Sequence, residues 1–307
     1  MGKQVPVVSL GVNGSGSSGE SAQVSLIISA YQPTPDSSKL LRVAIESALC
    51  QTGRDIAIWV VDGASPDSAH KVRPLDYPHV NFIEAAKVPR TFDFRRISAG
   101  SLAKKTRLLF SKPQNQGSYA NGWGLDLGVM EAVFRTQPRP DYFMTLQMDV
   151  MFSHPEAIDF LLSKFSSDTA AVGMRPQSSY DRSEDGLHSL GCLWHTPKFL
   201  QLEESLLPDF PRFDVGEKAV SKARELGMEI VGLDNTYSDW TAESRIVGPK
   251  FLGLKVDRTL DDNGEVLFLH LGRGIPRSQG RKRGGVSIEA WQAFWDALKT
   301  ANKGESS

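Results

Sequence analysis

A strand–helix–strand pattern near the N-terminus constrains the fold of this chain more than any other feature. Residues 24–30 form a nearly continuous apolar and β-branched run, which is typical of a strand covered on both faces of its sheet. After a proline-rich break, apolar residues at helical spacing predict a helix over 38–50. A second apolar run, 56–61, ends at Asp62. Because short links join these elements, they predict a right-handed parallel unit and an α/β fold.

The rest of the chain continues this alternation of apolar runs and helical spacing. We expect strands over 80–84, 107–110, 142–149, 169–174 and 266–270, and helices over 119–134, 215–226 and from 287 onwards. In an open parallel sheet, ligands bind at the edge where the strands have their carboxyl ends. Ala30, Tyr31 and Asp62 follow the first two strands, so we expect them at this edge.

The bulk composition excludes several functional classes. The 307 residues carry a net charge of -1, so no overall field attracts the chain to nucleic acid or to an acidic membrane. The two cysteines, Cys50 and Cys192, make neither a disulfide framework nor a zinc site, and they fit a reducing compartment. No apolar stretch approaches the ~18 residues of a membrane span, and no basic segment followed by an apolar core is visible at the start. We therefore expect a cytoplasmic protein without a transmembrane segment.

A single acidic residue, Asp149, stands near the end of the apolar run 142–151. A buried strand that delivers one carboxylate at its carboxyl end is a common way to present a metal ligand in an α/β sheet. The alternative is a carboxylate that caps the following helix near Pro155. About 30 residues upstream lies a polar, glycine-containing segment, 115–122, and further upstream Asp62 is followed by Gly63, Ala64 and Ser65.

Four motifs in order resemble the GT-A fold of family 2-type glycosyltransferases. They are the turn Gln51-Thr52, the pattern Val61-Asp62-Gly63-Ala64-Ser65, the paired segments Asn115-Gln116-Gly117 and Asn121-Gly122-Trp123, and the strand-end Asp149. The resemblance implies a mostly parallel nucleotide-binding sheet with helices on both faces and an acceptor-side extension. It also implies an enzyme that moves a sugar from a nucleotide-diphosphate donor, a UDP-sugar by default, to an acceptor hydroxyl, with inversion favoured over retention.

The chain departs from the family at its metal motif. The family pattern is Asp-x-Asp, whereas this chain has Gln147-Met148-Asp149. Because an amide supplies less charge than a carboxylate, binding of Mn²⁺ or Mg²⁺ should depend on Asp149, the donor diphosphate and other ligands. The resemblance points to a late histidine, His270, as a further ligand, and a lone structural histidine is the alternative.

The resemblance also implies a set of donor-binding residues. Asp62 would accept a hydrogen bond from the imide of the base or from a ribose hydroxyl, and an ordinary Asp-Gly turn is the alternative. The loop and helix start at 115–121 would approach phosphate or sugar oxygens. The full set is Ala30, Tyr31, Asp62, Asn115, Gly117, Asn121, Gln147 and Arg273.

An inverting transfer needs a base for the acceptor hydroxyl. The family places an acidic residue before a helix that ends in glycine, and counting back from Gly227 leads to Asp214 and Glu217, with Asp214 preferred. Acidic residues also favour helix N-termini for electrostatic reasons, so this alternative stays open. The pair at 184–185 is a rival.

Two further features complete the expected site. The segment 191–197 would line the acceptor or sugar pocket, with Trp194 and His195 as its candidates, although Trp194 could equally be a core residue. The basic loop 272–285, which contains Arg273, could close over the diphosphate or could simply be solvated. The expected organisation is a flexible segment 1–22, a nucleotide-sugar-binding half 23–152, an acceptor-binding and C-terminal half 153–300, and a flexible tail 301–307.

Three other functions compete with the transferase. A nucleotidyltransferase is disfavoured, because the segment after the first strand lacks a glycine-rich loop with Lys or Arg. A non-catalytic nucleotide- or glycan-binding GT-A module is favoured by Gln147 alone. A DNA-modifying sugar transferase could use the basic segments 90–107 and 273–283, against the near-zero net charge. The acceptor (saccharide, protein, lipid or, least favoured, nucleic acid) and the oligomeric state stay open.

Overall fold

The computed structural model describes residues 22–53, 55–85, 116–175, 186–189, 191–210, 212–235, 256–272, 280 and 286–304. Ten strands in these ranges form two sheets. They are β1 Val24–Ala30, β2 Ile56–Asp62, β3 Val80–Glu84, β4 Tyr142–Gln147, β5 Val150–Phe152, β6 Thr169–Met174, β7 Cys192–His195, β8 Glu229–Leu233, β9 Asp257–Leu260 and β10 Val266–His270. The main sheet has the order β3-β2-β1-β4-β7-β6-β8, and the second sheet has the order β5-β10-β9.

Six α-helices accompany the sheets in the described part of the chain. They are α1 Pro35–Leu49, α2 Gln116–Val129, α3 Ala157–Ser163, α4 Thr196–Gln201, α5 Glu217–Glu225 and α6 Ile288–Gly304. A π-helical segment, Met130–Arg135, continues α2. None of these helices combines the length and the apolar character that crossing a bilayer requires.

The main sheet is parallel except for β7, which pairs antiparallel with β4 and β6. Its two faces are covered by separate hydrophobic clusters. One cluster contains Leu40 and Leu41 of α1, and the other contains Leu125 and Val129 of α2. The predicted α/β class, a mostly parallel sheet with helices on both faces, is therefore confirmed.

The first helix begins earlier than the sequence analysis expected. We took the prolines before residue 38 as a break, but Pro35 occupies the first turn of α1. Proline is tolerated there because its missing N–H would have no partner inside the helix. The hydroxyl of Thr34 accepts a hydrogen bond from the backbone N–H of Ser37 at 3.2 Å, which completes the cap.

Two glycines let α2 approach the sheet closely. A Cβ at Gly124 would lie 2.9 Å from the hydroxyl of Ser29, and one at Gly128 would lie 2.3 Å from Cγ2 of Ile27. From Gly124 to Gly128 the helix passes from Ser29 back to Ile27, so α2 runs antiparallel to β1. The N-terminus of α2 therefore extends toward the carboxyl edge of the sheet.

The apolar run around Asp149 is two strands rather than one. β4 ends at Gln147, and after a two-residue turn β5 leaves the main sheet and pairs with β10. This corrects the expectation that Asp149 ends a strand, because the residue lies in the turn between two sheets. The predicted strand 107–110 lies outside the described residues. The last helix continues to Gly304, into the segment 301–307 that we expected to be flexible.

Candidate functional site

Three parallel strands have their carboxyl ends side by side at one edge of the main sheet. β1 lies between β2 and β4, and the register pairs Ala30 with Asp62 and Ser29 with Gln147. Residues from separate sequence motifs therefore meet where an open α/β sheet binds its ligands.

Asp62 is held firmly at this edge, with 3% of its surface exposed. One carboxylate oxygen accepts hydrogen bonds from the backbone N–H of Ser65, at 3.1 Å, and from the hydroxyl of the same residue. The other oxygen lies 2.6 Å from the ammonium of Lys71. A carboxylate fixed on both sides is a pre-oriented acceptor, unlike an exposed turn residue.

Lys71 adds a cation to the same edge. Its ammonium lies 3.3 Å from the carboxylate of Glu84, at the end of β3, and the side chain is 12% exposed. Burial disfavours the charged form, but hydrogen bonds and charge interactions with Asp62 and Glu84 outweigh burial, so the pKa of Lys71 is raised. The edge therefore carries a fixed donor beside a fixed acceptor at neutral pH.

Gln32 supports this arrangement from the loop after β1. The residue is fully buried, and its Oε1 accepts hydrogen bonds from the backbone N–H of Val72 at 2.8 Å and from the hydroxyl of Ser38 at 3.1 Å. The backbone N–H of Gln32 donates a hydrogen bond to the hydroxyl of Ser65 at 2.7 Å. Gln32 thus ties the exit of β1 to the turn that orients Asp62.

Tyr31 connects the exit of β1 to the metal motif. Its backbone N–H donates to the sulfur of Met148 at 3.3 Å, and Met148 is the residue before Asp149. The residue is 39% exposed, so an aromatic face is accessible at the ligand edge. Such a face suits stacking on a planar base.

Asp149 and His270 lie together, as the sequence analysis expected for two ligands. Oδ2 of Asp149, a residue with 3% exposure, lies 3.7 Å from Nε2 of His270. Nδ1 of the same imidazole lies 3.1 Å from Oδ2 of Asp257, the first residue of β9. The backbone N–H of Leu271 donates to the carbonyl of Asp149 at 3.0 Å, which joins the two segments.

The donor set of Asp149 and His270 fits a divalent cation. A carboxylate and an imidazole suit ions such as Mn²⁺. Adjacent ligands of an octahedral ion, each about 2.1 Å from it, lie about 3.0 Å apart, so a small side-chain movement would place both on one ion. Within the described ranges, no group of three or more His, Cys, Asp or Glu side chains has metal-binding geometry. Asp149 and His270 could each supply one ligand to such an ion.

The start of α2 reaches the same edge. Because α2 runs antiparallel to β1, its first turns, with Gly117 and Asn121, extend beyond the end of that strand. A Cβ at Gly117 would meet nothing within 4 Å, so the backbone there is open to close approach. Backbone N–H groups at a helix N-terminus favour anionic oxygens.

Asp214 and Glu217 lie in the turn that opens α5. The carboxylate of Glu217 accepts a hydrogen bond from the backbone N–H of Asp214 at 2.6 Å, and Oδ1 of Asp214 accepts one from Val215 at 2.8 Å. This contact is compatible with a helix-start role for Glu217, at the first residue of α5. Asp214 precedes the helix and is half-buried.

The turn that carries Asp214 contacts the loop before β7. A Cβ at Gly216 would lie 3.4 Å from Cβ of Ser189. The neighbouring His188 has its ring centroid 6.1 Å from that of His270. This loop therefore joins the candidate base to the region of the candidate metal ligands.

Trp194 and His195 do not lie at the ligand edge, which corrects the expected pocket. Trp194 is 1% exposed, and its ring packs edge-on against Phe199 with centroids 5.1 Å apart. His195 pairs with Tyr142 at the start of β4, at the end of the strand opposite Gln147. The physical reason is that β7 runs antiparallel, so its last residues return to the amino edge of the sheet.

Several expected residues lie outside the described part of the chain. They are Asn115, Arg273 and most of the basic loop 272–285, the rival acidic pair at 184–185, and the basic segment 90–107. Asp257, Lys71 and His188 were missed by the sequence analysis. A signal for Asp257 existed, because an Asp-Asp-Asn-Gly turn at 261–264 separates two short runs and predicts the β9–β10 hairpin that pairs it with His270.

Known proteins resemble this chain only among the solved structures. No family model matches the chain. No curated protein matches it significantly. Similar solved structures include the mannosyltransferase PcManGT from Pyrobaculum calidifontis, in complex with GDP-Man and Mn²⁺, at 12% identity and a TM-score of 0.39 over 94% of this chain and 76% of that chain.

Two other similar structures come from S. aureus. TarS 1-349 is 13% identical, with a TM-score of 0.38 over 66% of this chain and 55% of that chain. TarS 1-349 in complex with UDP-GlcNAc is 12% identical, with a TM-score of 0.37 over 66% of this chain and 53% of that chain. This chain thus spans about half the length of the TarS chains.

Proposed function

We propose that this protein is a GT-A type glycosyltransferase that moves a sugar from a nucleotide-diphosphate donor, a UDP-sugar by default, to an acceptor hydroxyl. The observation that carries the proposal is that Asp62 and Asp149 lie at the carboxyl ends of two strands of a mostly parallel sheet, with His270 3.7 Å from Asp149. These residues have the chemistry that a nucleoside and a metal-bound diphosphate require. The family motifs in the sequence supply the reaction type.

The strand order gives the donor an orientation. Asp62 ends β2 and Asp149 follows β4, with β1 between them. Neighbouring strands are ~4.8 Å apart, so the two carboxylates lie on strands separated by about 10 Å. A donor with its nucleoside at Asp62 would therefore direct its diphosphate toward Asp149 and the start of α2.

A divalent ion, Mn²⁺ or Mg²⁺, would supply charge stabilisation for the departing nucleoside diphosphate. Asp149 and His270 are the residues that would hold it, and Gln147, at the end of β4, carries no charge. Ions of this kind are commonly bound by one or two protein ligands together with substrate phosphates. A two-residue protein site is therefore sufficient.

Asp214 is the proposed base on the acceptor side. Its carboxylate takes the proton of the acceptor hydroxyl while that oxygen forms a bond to the anomeric carbon. The bond from the anomeric carbon to the diphosphate oxygen breaks, and its electron pair leaves with the nucleoside diphosphate. Attack from the face opposite to the leaving group inverts the anomeric configuration.

Calorimetric titration tests the proposal without knowledge of the acceptor. The purified chain is titrated with UDP, GDP, CDP and TDP, with and without Mn²⁺. We expect one diphosphate to bind, and to bind more tightly with Mn²⁺. Asp149→Asn should weaken the metal-dependent affinity by more than the ~10- to 100-fold that changes outside the ligand sphere typically cost. Asp262→Asn is the matched control, because this carboxylate is 68% exposed at the far end of the β9–β10 hairpin.

Two results would count against the transferase. Absence of binding to every diphosphate, with and without Mn²⁺, would contradict both donor binding and metal use. The second result is binding of a diphosphate by a protein that releases no nucleoside diphosphate, even slowly, from any sugar nucleotide tested. This result would favour a non-catalytic nucleotide- or glycan-binding module, which Gln147 already favours at the sequence level.

A further inference from the structure

The second sheet aligns three functional side chains in one row. β10 is its central strand, and His270 pairs with Val150 of β5 on one side and with Asp257 of β9 on the other. Asp149 immediately precedes Val150. The pairing register therefore places one carboxylate on each side of the imidazole, although Asp149 and Asp257 come from distant parts of the chain.

The two carboxylates make different contacts with the ring. Nδ1 lies 3.1 Å from Asp257, within hydrogen-bonding distance, whereas Nε2 lies 3.7 Å from Asp149, which is beyond it. An ionised carboxylate only accepts hydrogen bonds, so Nδ1 must carry the proton of the short contact. In the neutral ring, Nε2 then has a lone pair on the side of Asp149.

The surroundings restrict rearrangement of this row. The exposed fractions of the side chains are 5% for Asp149, 11% for His270 and 16% for Asp257. Water therefore competes weakly for the Nδ1 proton, and backbone pairing on both sides of β10 fixes the direction in which the His270 side chain leaves the strand. A histidine held in this manner by a carboxylate is typical of metal ligands, whose tautomer and basicity are set by the partner of the second nitrogen.

We propose that Asp257 is a positioning residue that selects the Nδ1–H tautomer of His270 and directs the Nε2 lone pair toward Asp149. The choice of tautomer follows from the 3.1 Å contact between Nδ1 and Asp257 and the 3.7 Å distance between Nε2 and Asp149. Its purpose, to prepare His270 as a ligand for the cation that accompanies the donor diphosphate, rests on the proposed function. Asp257 itself does not touch the cation.

Nitrogen NMR of the histidine rings tests the choice of tautomer directly. Long-range ¹H–¹⁵N spectra of the ¹⁵N-labelled full chain at pH 8 would be compared with those of His270→Gln, which identifies the His270 signals among those of six histidines. We expect Nδ1 of His270 to be protonated in the wild type. In Asp257→Ala the pattern should change to a tautomer mixture or to the Nε2–H form, and in Asp262→Ala it should not change.

A wild-type His270 whose Nδ1 carries no proton would overturn the proposal, whatever the variants do. An unchanged Nδ1–H pattern in Asp257→Ala would overturn it as well. Because the wild-type spectrum, assigned with His270→Gln, decides the first point, that point does not depend on the folding of Asp257→Ala.

Metal affinity provides the second readout. Mn²⁺ is titrated into the protein saturated with whichever nucleoside diphosphate binds, and free Mn²⁺ is followed by electron paramagnetic resonance. We expect Asp257→Ala to weaken Mn²⁺ binding by about 10- to 100-fold, and Asp262→Ala to leave it unchanged. Unchanged Mn²⁺ affinity in Asp257→Ala would overturn the inference that Asp257 prepares His270 as a metal ligand. If the wild type binds no diphosphate, the proposed function fails, while the tautomer measurement still decides the role of Asp257.

Discussion

At the scale of single residues, the ion pair of Asp62 and Lys71 places two opposite charges at the carboxyl edge of the main sheet. The two groups lie 2.6 Å apart, with side-chain exposures of 4% and 12%. Removing one partner of a shielded pair leaves the other charge without compensation, which costs more than the pair itself contributes. The pair is therefore expected to stabilise the fold as well as to orient the acceptor oxygen of Asp62.

We predict that Lys71→Met lowers the free energy of unfolding by about 2 kcal/mol at neutral pH, because Ser65 still compensates part of the Asp62 charge. The pKa of Lys71 is raised in the folded state. Its contribution is therefore complete below the unfolded pKa of about 10.4 and is lost as the pH rises through the folded value. Urea unfolding at a series of pH values should show the difference from wild type shrinking above about pH 10.4.

Lys39→Met is the control for this prediction. Lys39 also pairs with a carboxylate, Asp36, at 2.8 Å, but the two side chains are 44% and 34% exposed. Exposed pairs contribute about 0–1 kcal/mol, so this change should be nearly neutral. Equal effects of the two substitutions, or a Lys71 effect independent of pH, would show that the Asp62 contact is not the cause.

The residues of the candidate site differ in how far the sequence could predict them. Asp149 comes shortly after an apolar strand and His270 ends one, so both positions can be recognised from a polar residue at the end of an apolar run. Lys71 lies in a loop, and only the folded chain brings its ammonium to Asp62. Trp194 shows the reverse error, because an aromatic residue in a family-like segment suggested a pocket, whereas the antiparallel direction of β7 places it in the core.

At the scale of elements, the packing of α2 on β1 and β2 depends on the absence of side chains at two positions. Helical spacing predicts the helix over 119–134, in which Leu125 and Val129 are buried. The same spacing does not indicate that Gly124 and Gly128 lie against the sheet. Their function follows from the close approach of a helix to two strands, and helical periodicity carries no information about that distance.

We predict that Gly128→Ala lowers the free energy of unfolding by about 1–2 kcal/mol. Overpacking against Ile27 and Val61 costs about 1–3 kcal/mol, and the better helix propensity of alanine offsets up to about 1 kcal/mol. Gly117→Ala is the matched control, because its Cβ would meet nothing within 4 Å and the change should be neutral or stabilising. Thermal and urea unfolding of both variants measure these effects.

A double variant identifies the cause of the Gly128 effect. Ile27→Ala removes the Cγ2 atom that the new methyl group would meet at 2.3 Å. We therefore expect Gly128→Ala to cost less in the Ile27→Ala background than in the wild type, as for other contacting residues. Strict additivity would indicate that the close approach of α2 is not limited by this contact.

At the scale of the whole molecule, the two halves that the sequence suggests are joined by exchanged strands. β5, from the half 23–152, pairs with β10, and β7, from the half 153–300, pairs with β4. The hydrophobic cluster on the α1 face likewise contains Leu40 from the first half and Phe268 and Trp291 from the second. The segments 23–152 and 153–300 therefore share one structural framework.

This exchange predicts that the isolated segment 22–152 does not fold cooperatively. Without the second half, β4 becomes an unpaired edge carrying the apolar residues Phe143 and Met144, and β5 loses its partner strand. The lost burial is large compared with the marginal net stability of a domain. We expect the segment to give poorly dispersed amide signals and no cooperative thermal transition, whereas the full chain gives both. A well-dispersed spectrum with a sharp transition for 22–152 would show instead that the nucleotide-binding half is an independent unit. Metal-dependent nucleotide binding by that unit would further show that Asp149 can act without His270.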